Sequence, residues 1–338
     1  MNIKLSICIA TLNRGAFIGA TLESIGAQID EDVEIVVLDG ASKDNTEQVV
    51  LNLQRTLPNL RYTKQDTNHG VDRDFNTAVE HARGEYCWLM SDDDLVMPGA
   101  VPAILRAIES NYSLIILNSE IKTFDFSDMI DHDRLRFAAD RIYTPGDYER
   151  LFEETSAYLG YIGAVVIRRD IWLARDRESY FGSFFIHVGV IFQARLPADT
   201  LVIMQPCISV RFGNTQWRPK EFEIRMIRWT DLVWSLPSLA EATKRRCYRR
   251  EPWRSFKSLL FYRAKGTYSM TEYRRWVEPR LKSRWDTAKA LSVALMPGVL
   301  ANLIGLVYCS LPYRDSNIHL LDMKLSRFYF ANLVRKPT

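Results

Sequence analysis

The sequence has no Cys-x-x-Cys pair, and its five cysteines (Cys8, Cys87, Cys207, Cys247, Cys309) are widely spaced and odd in number. That argues against a zinc ribbon or a disulfide scaffold and points to a reducing compartment. No Gly-x-Gly-x-x-Gly and no Gly-x-x-x-x-Gly-Lys-Ser/Thr occurs, which removes the dinucleotide fingerprint and the P-loop. No zinc-finger, RRM or helix-turn-helix signature is visible, so nucleic acid is not an expected partner. A long leading apolar run is also missing. Met1–Ala10 turns polar at Thr11-Leu12-Asn13-Arg14 and reads as a first strand rather than a signal peptide.

What is present is a chain of 338 residues, 47% hydrophobic and 25% charged, the composition of a soluble globular protein with one large or two ordinary domains. The net charge of +3 conceals an asymmetry. Residues 1–100 carry 8 Lys and Arg against 16 Asp and Glu, whereas residues 211–284 carry 19 against 7. An acidic front half suits a cation site, and a basic back half suits an anionic surface.

Along the first 95 residues short apolar runs alternate with segments of helical periodicity. Lys4–Ala10, Asp32–Asp39 and residues 60–65 read as strands; Ala16–Ala27, 46–56 and Asp72–Arg83 read as helices. Asp44 and Glu47 form a capping-box pattern, and Gly84 reads as a helix C-terminal glycine. This repetition predicts βαβ units and a mostly parallel sheet, whose ligands bind at the carboxyl ends of the strands. At one such end Tyr86-Cys87-Trp88-Leu89-Met90 breaks into Ser91-Asp92-Asp93-Asp94. Adjacent carboxylates repel, so this run is either a solvated acidic turn or a cation and diphosphate site.

The runs Ser6–Arg14, Glu34–Thr46, Asn68–Asn76 and Gly84–Asp94, in this order and spacing, resemble family 2 glycosyltransferases. Within that family, Asp72-Arg73-Asp74-Phe75 and Tyr86-Cys87-Trp88 are similar to bacterial O-antigen abequosyltransferases. The resemblance implies a GT-A fold, a Rossmann-like mixed α/β sheet over residues 1–215, with a helical, basic region over 216–338. It implies nucleotide-sugar contacts from Thr11, Asn13 and Arg14, a nucleobase contact from Asp39 with Ser42 beside it, and ribose or phosphate contacts from Asn68, Gly70 and Arg73. Members commonly read Asp-x-Asp-Asp where this chain has Ser91-Asp92-Asp93-Asp94. The matching positions make Asp93 the ligand of a Mg²⁺ or Mn²⁺ cofactor, Asp92 the ribose neighbour and Asp94 an alternate ligand. At the place of the family's general base stands His187, and Arg211 is a candidate for the diphosphate.

Later segments read as a strand at Ser113–Ser119, an Asp-rich irregular insertion at 120–146, a helix at Asp147–Tyr158, a strand at Tyr161–Arg169, a helix within Phe181–Gln193, and a closing strand at 201–212. Helices are expected at 219–236 and 238–285. Residues 290–313 are uncharged but broken by Pro297-Gly298, which predicts interfacial helices or a buried hairpin. The expected protein is a glycosyltransferase moving a sugar, such as a dideoxyhexose, from a nucleotide-diphosphate sugar to a lipid-linked or polysaccharide acceptor in O-antigen assembly. It would sit in the cytoplasm, peripheral to the cytoplasmic face of the inner membrane. The rivals are a sugar nucleotidyltransferase and a non-catalytic nucleotide-sugar-binding or membrane scaffold protein.

Overall fold

The computed structural model describes residues 3–310 and 317–331, so Met1 and Asn2 and the end of the uncharged stretch (311–313) lie outside the described residues. The chain divides into two compact units, Met1–Phe212 with Leu236–Thr243, and Gly213–Ser235 with Lys244–Thr338, against an expected boundary near 215.

The first unit opens with β1 (Leu5–Thr11), α1 (Ile18–Gly26), β2 (Val33–Asp39), α2 (Thr46–Gln54), β3 (Leu60–Lys64), α3 (Val71–His81) and β4 (Tyr86–Met90). There follow β5 (Leu95–Val96), α4 (Ala100–Ile108), β6 (Leu114–Lys122), β7 (Met129–Asp131), β8 (Arg141–Tyr143), α5 (Tyr148–Thr155), β9 (Val165–Arg168), α6 (Arg169–Ala174), α7 (Ile186–Phe192) and β10 (Thr200–Arg211). The sheet runs β3-β2-β1-β4-β9-β6-β10-β5, with β7 on β6 and β8 on β10.

β1, β2 and β4 are covered on both faces, which is why they read as continuous apolar runs instead of alternating ones. β3, β2, β1 and β4 are parallel. The sheet is mixed, as the GT-A resemblance implies: β6 and β10 are again parallel, while β9 inserts antiparallel between β4 and β6. The Asp-rich insertion is also less irregular than expected: β7 and β8 within it pair antiparallel with β6 and β10.

Two local readings change. α3 stops at His81, and Gly84 has another reason to be glycine. A Cβ there would stand 2.7 Å from the Ser6 backbone nitrogen, so Gly84 lets the chain enter β4 against β1. The capping box does not close on Glu47, which pairs with Lys64; the Asp44 carboxylate accepts the backbone N–H groups of Thr46 and Gly15.

In the second unit the expected long helices are broken into shorter ones. A π-helical segment at Glu223–Arg228 leads into α8 (Trp229–Ser235), and α9 (Glu241–Cys247) begins in the last segment of the first unit and ends in the second. α10 (Phe256–Lys265), α11 (Met270–Glu272), α12 (Arg284–Leu295), α13 (Gly298–Cys309) and α14 (Asn317–Lys324) complete it. Lys265, nearly buried, is held by Glu221 and by Asp322 at 2.8 Å. No single described helix is long and apolar enough to cross a membrane; α12 and α13 reach that length only together, and they bend by 97° at their junction.

Candidate active site

Because β1, β2 and β4 are parallel and in register, their carboxyl ends meet at one edge. Thr11 lies opposite Asp39, and Ile9 lies opposite Met90, so the acidic run leaves β4 level with the loop that leaves β1. The first two loops are clasped together. Asn13 and Ala41 both take left-handed backbone angles (φ 55° and 71°), a conformation that costs a non-glycine residue unless its surroundings hold it. Here the Asn13 N–H donates to Ser42 Oγ at 2.8 Å, and the Lys43 N–H donates to Asn13 Oδ1 at 2.8 Å. The Arg14 N–H donates to Thr46 Oγ1 at 2.8 Å.

Asp39 is sealed beneath this clasp at 0% exposure, its oxygens accepting the Ser42 N–H and the Tyr62 hydroxyl, both at 2.7 Å. Within the chain, both oxygens of Asp39 are engaged by the loop and by β3. The carboxylate braces the loop, and burial together with its charge pushes the Tyr62 hydroxyl well above the ordinary tyrosine range.

The acidic run splits into two kinds of carboxylate. Asp92 and Asp93, with side chains 13% and 15% exposed, face Arg14, whose Nε is 3.2 Å from Asp92 and whose terminal nitrogen is 2.5 Å from Asp93. Arg211 donates from Nε to the Asp93 carbonyl at 3.0 Å, and its guanidinium lies against Phe126, Phe17 and Phe124 at 4.3, 5.2 and 5.6 Å. Burial raises both Asp92 and Asp93. For Asp93, burial and the neighbouring Asp94 and Asp92 carboxylates, offset by Arg14 and Arg211, push it up to about 8.

Asp94 differs. It is buried, and Ser91 Oγ and Tyr161 Oη (2.7 Å) donate to one oxygen while the Arg211 N–H donates to the other at 2.8 Å. Three donors occupy it, so the expected role as an alternate metal ligand gives way to a structural one. Tyr161 was not singled out from the sequence. Its signal is Gly163, where any Cβ would fall 2.4 Å from the Tyr161 hydroxyl oxygen.

Asn68, Gly70 and Arg73 stand at the amino end of α3. The Asn68 Oδ1 accepts the Gly70 N–H at 2.8 Å, Gly70 has φ 90°, and Arg73 stacks on Phe181 at 4.3 Å. Their neighbour Asp72, also missed, is buried and accepts the N–H groups of Phe184 (2.8 Å) and Ile186 (3.1 Å), so it fixes the entry to α7. His187 lies inside α7 at 1% exposure, with Nε2 on the Leu159 carbonyl at 2.7 Å and Nδ1 without a partner. Burial lowers it to about 4, which leaves it neutral. Its burial and its bond to the Leu159 carbonyl are those of a core histidine, whereas a general base must be open to an acceptor hydroxyl.

Among the described residues no three His, Cys, Asp or Glu side chains are arranged to enclose a metal ion. Asp92 and Asp93, partly open beside Arg14, suit instead a cation that one or two carboxylates share with substrate phosphates. The buried Thr11 hydroxyl lies beside Asp92 and favours its charged form.

Residues 6–175 match the family described as glycosyl transferase family 2. The chain is 24% identical over 230 residues to the abequosyltransferase RfbV of Salmonella typhimurium, covering 64% of this chain and 69% of that one. It is 31% identical over 120 residues to the GalNAc(5)-diNAcBac-PP-undecaprenol β-1,3-glucosyltransferase of Campylobacter jejuni, covering 35% and 39%. Its fold is similar to S. aureus TarS 1–349 in complex with UDP (TM-score 0.61, 16% identity, 93% and 95% covered). It is also similar to the mannosyltransferase PcManGT of Pyrobaculum calidifontis in complex with GDP-Man and Mn²⁺ (TM-score 0.51, 16% identity, 100% and 89% covered). With half its length matched and its sheet shared with these structures, the chain belongs to glycosyltransferase family 2, as a hexosyltransferase-type enzyme on a GT-A fold.

Proposed function

We propose that this enzyme transfers a sugar from a nucleoside-diphosphate sugar to a saccharide acceptor carried on a lipid or a growing polysaccharide, at the cytoplasmic face of the inner membrane. The observation that carries the reading is the convergence of Arg14, Asp92, Asp93 and Arg211 at one edge of the sheet. Two guanidinium groups are a planar, permanently charged match for phosphate oxygens. Among relatives, an abequosyltransferase supports a dideoxyhexose donor and O-antigen assembly, and a glucosyltransferase whose name carries PP-undecaprenol supports a lipid-linked acceptor.

Asp93, with Asp92 beside it, would hold Mg²⁺ or Mn²⁺ together with the donor's diphosphate, and the bound ion would offset charge developing on the leaving group. Arg211, fixed through its own backbone N–H on Asp94, presents its side chain toward Asp93 and serves the diphosphate oxygens. Arg14 neutralises the carboxylates in the absence of donor and serves the phosphates in its presence. The clasped loop of Thr11, Asn13 and Ser42, with Asn68, Gly70 and Arg73, lines the nucleotide. His187 is left out of the chemistry. Family membership favours sugar transfer over nucleotidyl transfer or a scaffold role.

The test is a panel of CDP-, UDP-, GDP- and dTDP-sugars with and without Mn²⁺, read by thermal shift and by release of nucleoside diphosphate. One donor class should raise the melting temperature in a Mn²⁺-dependent way, and Asp93→Ala should lower turnover by about 10²-fold or more. No response to any donor, or near-normal turnover in Asp93→Ala, overturns the reading.

A further inference from the structure

α13 is built inside out. Its inward positions are small or polar: Gly298, Ala301, Asn302, Gly305 and Cys309. Asn302, at 0% exposure, donates its amide to the carbonyls of Ala264 (3.1 Å) and Met323 (3.0 Å). A Cβ on Gly298 would fall 2.4 Å from the Phe328 ring, and one on Gly305 would fall 3.0 Å from the Met323 sulfur. The helix is thus seated tightly against α10 and α14 through its small face.

Its outward face is the bulky one. Leu300, Leu303, Ile304 and Val307, spaced i, i+3, i+4 and i+7, form one stripe, and Val307 is 68% exposed. In a water-facing helix the polar residues lie outward and the aliphatic ones inward, and here that order is reversed. No charged residue interrupts the helix. On the other side of the bend Leu295 is 63% exposed, and Trp285 at the start of α12 is 77% exposed. Of the fifteen exposed large apolar side chains among the described residues, ten belong to the second unit, which holds about a third of the chain. An unbroken aliphatic stripe such as that on α13 marks an interaction surface.

We propose that the α12–α13 elbow docks the enzyme on an anionic lipid surface, its aliphatic stripe and Trp285 entering the headgroup and acyl boundary without crossing the bilayer. Three observations select a membrane over another occupant. The second unit carries 24 Lys and Arg against 9 Asp and Glu, a net +15, which complements acidic lipid. Cations lie at the patch itself: the Lys257 ammonium stands 5.2 Å from the Tyr308 ring, and Arg284 adjoins Trp285. Each helix has 12 residues, so it is about 18 Å long, too short for a hydrocarbon core of about 30 Å. The 97° bend, with Arg263 bonded to the Met296 carbonyl at its vertex, keeps the two from forming one straight span. Such helices lie in the plane of the interface. The inference concerns a surface outside the donor site and holds for any acceptor.

The experiment is flotation of the full-length protein with vesicles of phosphatidylcholine alone or with phosphatidylglycerol added, at about 50 mM and about 500 mM salt. The protein should float with the anionic vesicles at low salt and be released at least several-fold at high salt. L303S/V307S should lose at least tenfold in vesicle binding while keeping its melting temperature and its nucleotide-sugar response, since both side chains face outward. A Trp285→Ala variant should lose binding by a smaller factor. No flotation at low salt, flotation unchanged in L303S/V307S, or a salt-stable dimer that L303S/V307S converts to monomer each overturns the proposal; failure of the donor panel bears only on the transfer reaction.

Discussion

Asp93→Asn is expected to stabilise the substrate-free protein at pH 8 while abolishing turnover. Burial, with Asp94 and Asp92 adding to it and Arg14 and Arg211 opposing it, raises Asp93 from an ordinary 3.8 to about 8. Each pH unit of that displacement is worth ~1.4 kcal/mol. For an acid raised in the folded state, stability is greatest at low pH. It falls as pH climbs from about 4 to about 8, because the unfolded chain has released a proton that the folded chain still holds. Over that window the group costs on the order of 5 kcal/mol. Asparagine does not titrate and escapes this cost, but it gives up the charged contact with Arg14 at 2.5 Å. A hydrogen bond to a charged group is worth about 1.5–3 kcal/mol. The net expectation is a gain of about 2 kcal/mol at pH 8, shrinking toward neutral pH and reversing near pH 5. In a unit of some 200 residues that gain raises the melting temperature by about 4–8 °C. Urea titrations of both proteins at pH 5, 6.5 and 8 in EDTA measure it. A variant no more stable than wild type at pH 8, or a deficit that does not change with pH, refutes the charge reasoning.

Ser91→Asp, which restores the family's common acidic pattern, should lower stability by about 1–3 kcal/mol in a urea melt, because it replaces the hydroxyl donor to Asp94 with another negative charge. It should not raise affinity for Mn²⁺ in a titration with donor present. His187→Gln should lose about 1–2 kcal/mol of stability yet keep turnover within about threefold, since glutamine can still donate to the Leu159 carbonyl. Wild-type stability should also decline between pH 6.5 and about 4, the sign for a histidine lowered by burial. A His187→Gln protein with normal melting and donor binding but a hundredfold loss of turnover would return His187 to the mechanism. Gly84→Ala should destabilise by about 1–3 kcal/mol, because its methyl group meets backbone of β1 at 2.7 Å.

The parallel half of the sheet was legible because β1, β2 and β4 are apolar on both faces, a property each short segment carries by itself. β9 was legible as a strand, but not its direction or its place between β4 and β6. Those are set by partners many tens of residues away. The same limit hid Asp72, whose carboxylate organises Phe184 and Ile186 from more than a hundred residues upstream. It also misplaced His187: the segment around it was readable, but burial of all seven residues of α7 was not, because the helix is enclosed by distant elements instead of being amphipathic. Gly84 shows a glycine chosen for close approach being mistaken for one chosen for backbone freedom, and a lone glycine before a strand does not separate the two.

The departure at Ser91 and the third aspartate prove to be one device. Buried as it is, Asp94 needs donors, and burial alone would favour its neutral form. Ser91, Tyr161 and the Arg211 N–H supply three, from the end of β4, the turn before β9 and the end of β10. A carboxylate at position 91 could donate nothing while ionised and would face Asp94 at hydrogen-bond distance, so an ionised aspartate there would remove one of the donors of Asp94 and add a repelling charge. The consequence reaches the donor site through Arg211. Asp94 fixes the Arg211 backbone, and from that anchor the Arg211 Nε reaches the Asp93 carbonyl while the guanidinium rests on Phe126. Asp94 therefore acts by holding a cation beside Asp93. That division of labour leaves the partly exposed pair Asp92 and Asp93 as the carboxylates that a divalent cation and a diphosphate would meet.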